Sequence, residues 1–183
     1  MAFSVSGIPS RGPIGLAVVV GLVAVALLAL PGATSAGPDG PHVWAAETFS
    51  AEAERALIAE TDQSRDAAGD ATLVVDTALT ALARWRSRDM VERAYFSHDI
   101  PGIGDVFRRL DADGYCYQLA GENIGWDDDA DEVAPAAIQA MFLASPDHRS
   151  NILEARWDAI GVGTFKAADG RKMWTVLFAD RCG

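Results

Sequence analysis

Two histidines and one glutamate are the residues of this chain best suited to chemistry. Of its three histidines, His42 falls in a stretch bearing proline and glycine. His98 lies in Tyr95-Phe96-Ser97-His98-Asp99 and His148 in Ser145-Pro146-Asp147-His148-Arg149. Both are expected just beyond a helix or in a turn, where ligand-contacting groups are usually displayed. Glu122 sits in Gly121-Glu122-Asn123-Ile124-Gly125, whose glycines are expected to let the backbone turn tightly and bring a carboxylate close to its neighbours. Two neutral imidazoles can bind a divalent transition metal such as zinc, water filling the remaining positions and Glu122 orienting a ligand or that water. The other reading is a hydrogen-bonded network of the same three groups that only holds loops together. Both stand at this point.

Other patterns carry less. Ser97-His98-Asp99 has the residue types of a nucleophilic triad, but such triads are assembled from distant segments, and three neighbours do not converge on one substrate atom. Asp127 to Glu132 is acidic enough to suggest calcium, yet it lacks the glycine at the sixth position and the glutamate at the twelfth of an EF-hand loop. It is read instead as the acidic first turn of a helix. The HExxH and GxSxG patterns are absent. Arg149 and Asn151 are candidates for substrate contact or for a turn cap.

The elements that must position these residues follow from caps and periodicity. Ser50 can cap a helix with Glu52 and Glu54 in its first turn, running to about Arg65 and ended by Gly69. A second helix starts near Asp76, with Leu79, Leu82, Ala83, the Arg86 stem and Met90 on one face. Asp105 opens a short helix closed by Gly114, and another is expected from about Asp131 to Ala144. Residues 159–165 and 172–178 are β-rich runs flanking Asp169-Gly170, a hairpin signal. Helices early and antiparallel strands late make an α+β domain with a single core.

In order and separation, Tyr-Phe-Ser-His-Asp, Gly-Glu-Asn and Ser-Pro-Asp-His-Arg-Ser-Asn-Ile-Leu resemble the CAP superfamily (cysteine-rich secretory, antigen 5 and pathogenesis-related proteins), in particular its bacterial SCP-like branch. The resemblance covers roughly residues 50 to 182. It implies a three-layer α-β-α sandwich with a cleft lined by two histidines and two acids. His98, Glu122 and His148 match three of the four. The second glutamate of the animal members usually lies in the segment leading to the last histidine, and Ala140 to Ser145 offers no acid, which leaves the implied site one acid short. Val176 also stands where many relatives have glutamine after Trp-Thr. Resemblance to sterol-binding members raises a lipid groove lined by Trp85, Trp126, Trp157 and Trp174, although core packing accounts for such residues in a small domain.

The N-terminus sets the compartment. Ile14 to Leu30 is an unbroken run of apolar and glycine residues after Arg11, followed by Ala33-Thr34-Ser35-Ala36. That pattern suits a signal peptide over residues 1–36 cut near Ala36, with an uncleaved anchor as the alternative. A linker over 37–49 and a folded domain over 50–183 then follow. The formal net charge of −11 repels phosphate backbones, so nucleic acid is not an expected partner, and membrane contact is expected only through the N-terminal segment if uncleaved. Cys116 and Cys182, the only cysteines, read as one disulfide in an oxidising compartment, a catalytic cysteine being the alternative.

The expectation is a secreted, extracytoplasmic protein whose cleft binds a small ligand or a divalent cation, zinc or another, through His98, Glu122 and His148, without catalysis. The ligand class left open spans small molecules, lipids and envelope components. The alternatives are a weak metal-assisted hydrolase of the cell envelope, with Glu122 as its general base, and a protein-interaction or signalling module with a vestigial cleft.

Overall fold

The computed structural model describes residues 44–182. The expected signal segment, 1–36, and residues 37–43 of the expected linker lie outside them. Helix α1, Ala51–Ala68, is capped by the Ser50 side chain, which accepts from the Ala53 N–H, and is closed by Gly69 in the left-handed conformation, φ 87°. A two-residue strand β1, Val74–Val75, precedes α2, Thr77–Glu92, whose cap is Asp76. Next come α3, Phe107–Ala112, and strand β2, Tyr117–Asp127, then α4, Ala134–Ala144, and α5, Pro146–Ile152. Strands β3, Ala159–Lys166, and β4, Lys172–Arg181, form a hairpin across Asp169-Gly170.

The four strands form one sheet in the order β1-β3-β4-β2, parallel only between β1 and β3. Helices α1, α4 and α5 cover one face through Leu57, Phe142 and Ile152, which pack on Ile160, Val162, Trp174 and Phe178. Helices α2 and α3 cover the other through Leu79, Ala83 and Leu110, which pack on Ala159, Leu177 and Ala179. The result is the expected three-layer sandwich. Glycines on β3 let α2 lie directly on the sheet, since a Cβ at Gly163 would come within 2.1–2.5 Å of backbone atoms of Ala83 and Arg84. Cys116 and Cys182 are bonded to each other and tie the start of β2 to the end of β4.

Four expectations need correction. The Gly-Glu-Asn segment is not a tight turn but the middle of β2: its glycines serve packing, because a Cβ at Gly125 would meet Ile138, Met141 and Phe142 at 2.7–2.9 Å. His148 lies inside the short helix α5 rather than in a turn. The fourth helix starts at Ala134 instead of Asp131, so the acidic run precedes it, and Asp131 pairs with Lys166 at 2.9 Å and with Lys172. Ordered packing also begins before Ser50, as Trp44 is buried with its ring edge-on to Trp174, centroids 6.0 Å apart.

Candidate functional site

Arg86 is where the site begins. It occupies an inward-facing position of α2 among apolar residues and is fully buried. A guanidinium cannot shed its charge at ordinary pH, so burial requires that its donors be matched. Its Nε donates to Glu122 Oε1 at 3.0 Å, and its two terminal nitrogens donate to the Tyr95 hydroxyl, at 2.7 Å, and to the Ser97 carbonyl. One side chain thereby fixes the carboxylate of β2 and the backbone of the loop that carries His98. Tyr95 in turn donates to Asp89 at 2.5 Å, and burial pushes its phenol well above the ordinary range.

Glu122 faces the α2 layer, as β-strand alternation requires of residues 122 and 124, and is 6% exposed. Its second oxygen, Oε2, lies 2.6 Å from His98 Nδ1. The carboxylate selects the tautomer in which Nδ1 carries the proton, so the Nε2 lone pair points away from Glu122. The His98 side chain itself is 57% exposed.

His148 approaches from the opposite layer. Asn123, whose side chain leaves β2 on the α4 and α5 side, donates through Nδ2 to the His148 carbonyl at 3.0 Å, and Asn151 donates to both Asn123 Oδ1 and the Glu122 carbonyl. These bonds dock α5 onto β2. The imidazole packs edge-on against Phe142, centroids 5.1 Å apart. Its Nδ1 is buried and has no hydrogen-bond partner among the described residues. Burial, and then the neighbouring His98, lower its pKa below the ordinary 6.5, which keeps the ring neutral at pH 7.

Both histidines line one open cleft of about 980 Å3 along the free edge of β2. Its walls are the Phe96 to Asp99 loop on one side and Ala137, Met141, Ser145 and His148 on the other, with Ile124 to Trp126 at the base. Asp127, Asp128 and Asp129 close one end. Glu122 stands behind His98 and does not itself line the cleft. Arg149 is directed elsewhere, to surface hollows beside α1 and α5, and Asn151 holds structure together. Of the four tryptophans proposed for a groove, Trp157 and Trp174 are core and Trp85 is partly buried; Trp126 alone lines the cleft, at 44% exposure.

Sequence reasoning missed Arg86 as a site residue. The signal was present: a charged residue on the apolar face of a helix demands a buried partner. No group of three or more histidine, cysteine or acidic side chains placed to hold a metal ion occurs among the described residues. The described residues thus offer two imidazoles and no closed cage.

A three-layer sandwich with a histidine held by a buried glutamate and a second histidine across an edge cleft defines a class that comparison with known proteins makes specific. The chain belongs to the cysteine-rich secretory protein family, CAP, whose family model matches residues 58–178. YkwD of Bacillus subtilis is 31% identical over 125 residues, 68% of this chain and 46% of the relative. The membrane protein YlbC of the same organism is 33% identical over 128 residues, 70% and 34% respectively. This chain therefore spans less than half the length of these relatives.

Among solved structures, an extracellular protein with an SCP domain from Bacillus anthracis is 31% identical, with a TM-score of 0.61, covering 70% of this chain and 40% of that one. An outer surface protein of Borrelia burgdorferi has a TM-score of 0.67 at 20% identity, covering 74% and 99%. NaASP2, solved with Zn2+, shares the fold at 11% identity and a TM-score of 0.54, covering 72% and 81%. The first two neighbours are extracellular or surface proteins. No helix among the described residues is long and apolar enough to cross a membrane.

Proposed function

We propose that this chain is an extracytoplasmic binding protein, exported by its N-terminal segment, whose cleft takes a divalent cation or a small ligand on His98 and His148. The observation that carries the reading is the contrast in hydrogen bonding around the two rings. His98 is oriented by Glu122 at 2.6 Å, whereas His148 is held neutral and keeps a buried ring nitrogen unmatched. An unsatisfied buried polar atom is a standing penalty of about 1–3 kcal/mol, which a network serving only to hold loops together would not be expected to leave.

The donor set fits zinc or a similar transition metal in a limited way. His98 through Nε2, together with His148, would hold the ion, and water or a ligand would complete its coordination. Such an ion would supply Lewis acidity and a fixed positive charge in the cleft. With two protein donors the affinity is expected to be modest. NaASP2, solved with Zn2+, shares this fold, and that likeness adds support for the fold alone.

Glu122 acts here as a positioning residue. Both of its oxygens are engaged, one by Arg86 and one by His98, so a general-base role would require breaking a buried ion pair. This favours binding over the hydrolase alternative. Native mass spectrometry of protein purified without chelator tests the proposal: an adduct retained by wild type and lost in the His98→Ala/His148→Ala double variant is expected, and identical spectra for the two would refute it.

A further inference from the structure

The cleft is bounded by the outer edge of β2, and the hydrogen bonds of the sheet say which of its groups face away from β4. In an antiparallel ladder, a residue's N–H and C=O point the same way and alternate along the strand. On β3, the Ile160 carbonyl accepts from Asp76 at 2.8 Å and the Thr164 N–H donates to Glu54 at 3.3 Å, both on the side away from β4. Gly161 and Gly163 therefore turn toward β4, and so engage their partners there, Leu177 and Thr175. Those two β4 residues sit opposite Glu122 and Ile124 of β2. Having turned toward β3, they leave Glu122 and Ile124 facing out of the sheet.

The Glu122 carbonyl agrees, since Asn151 of α5 caps it at 3.2 Å. Beyond that cap, the same alternation turns the N–H and C=O groups of Ile124 and Trp126 away from β4, and both residues line the cleft, Trp126 at 44% exposure and Ile124 at 3%. No lysine, proline or bulge blunts this stretch of edge, the devices by which strands usually avoid pairing.

The side chains around the edge have a definite character. Phe96, Trp126 and Met141 are large apolar residues left 50%, 44% and 43% exposed, and all three lie in this cleft. Exposed apolar residues gathered at one place mark a binding surface. Carboxylates of Asp99, Asp128 and Asp129 are exposed at its rim, and no lysine or arginine lines it.

We propose that the cleft binds an extended peptide that adds to β2 as a fifth strand, antiparallel, with apolar residues along the edge and a basic N-terminal end at Asp128 and Asp129. Main-chain bonds to Ile124 and Trp126 supply the register, and the acidic rim supplies the polarity. At about 3.3 Å per residue, the stretch of β2 beyond the Asn151 cap matches a segment of four or five residues. The inference rests on the proposed reading only in taking the same cleft as the binding site, for it uses the strand edge and the carboxylates rather than the imidazoles.

The probe is the amidated peptide Lys-Lys-Val-Leu-Val, followed by backbone amide NMR on the folded domain with zinc titrated separately. Saturable shifts at Ile124 and Trp126 below about 1 mM are expected. N-methylation of the peptide at alternate residues should weaken binding about tenfold for the set that pairs with β2 and much less for the other set. Asp128→Asn and Asp129→Asn, both at exposed positions, should each weaken it about threefold.

The His98→Ala/His148→Ala variant should lose zinc yet keep the peptide, and a wild type that takes the peptide without zinc would refute the cation reading alone. Absence of saturable shifts at millimolar peptide overturns the inference. So does equal loss from both N-methylated sets, or equal binding of dodecylammonium at the same amides, which would mark the cleft as a site for cationic amphiphiles.

Discussion

The two walls of the cleft hold their histidines by different physics. On the α2 side, His98 ends a chain of charge-assisted contacts running from buried Arg86 through Glu122. On the α4 and α5 side, His148 is placed by packing against Phe142 and by the hydrogen bond that its backbone carbonyl accepts from Asn123. One ring is wired to a carboxylate, while the other is dry and unmatched at Nδ1. The lesson is that a site can be preorganised on one side by electrostatics and on the other by packing. A perturbation of charge should therefore damage the first wall, and a perturbation of volume the second.

The strongest way to break the contrast is Arg86→Met. Removing the guanidinium leaves buried Glu122 with His98 but without its cationic partner, a loss of about 3–5 kcal/mol, readable by urea denaturation. Arg86→Met/Glu122→Gln should recover part of it, because the uncompensated charge is then gone. Cys116→Ser/Cys182→Ser acts on neither wall in particular. It releases the ends of β2 and β4, 66 residues apart in sequence, and should lower stability by about 4 kcal/mol on the chain-entropy estimate. In that variant both histidine environments should survive at low temperature, as seen by NMR of their ring protons.

Gly125→Ala sharpens the comparison from the packing side. Its Cβ would press on Ile138, Met141 and Phe142, costing about 1–3 kcal/mol. The disturbance should reach His148 through Phe142 while leaving the resonance of His98 nearly unmoved.

The smallest effect is in pH. His148 is held below its ordinary 6.5 by burial first and by His98 second. A histidine with a depressed folded pKa binds protons more readily when unfolded, so its contribution to stability is complete above about 6.5 and is lost as pH falls below that. Wild type should lose more stability than His148→Gln between pH 7 and pH 5. A steeper loss in the variant would contradict the assignment.

Much of this was legible in the sequence, and the reasons are specific. Helices α1 and α2 announce themselves through Ser50, Gly69 and Asp76, which cap them as their side chains and backbone freedom dictate. The β3–β4 hairpin follows from alternating apolar runs around Asp169-Gly170. Strand β2 was hidden because Gly121 and Gly125 imitate turn residues when they in fact clear space for Trp157 and for α4. Helix α5, at seven residues, is too short for periodicity to declare itself.

The site was legible as three residue types, but its wiring was not. Arg86 reads from the periodicity as an apolar stem on the helix face, although its charge has to be matched inside. Nothing local in the sequence distinguishes Trp44, which is buried, from a tryptophan in a linker.

Calorimetric titration of zinc at pH 7.5 tests the central claim most directly. Saturable uptake of one ion per chain by wild type is predicted, reduced at least about tenfold in affinity by either His98→Ala or His148→Ala and weakened as pH falls, since metal uptake by imidazole ligands competes with protons. Equal heats from wild type and both variants would contradict it.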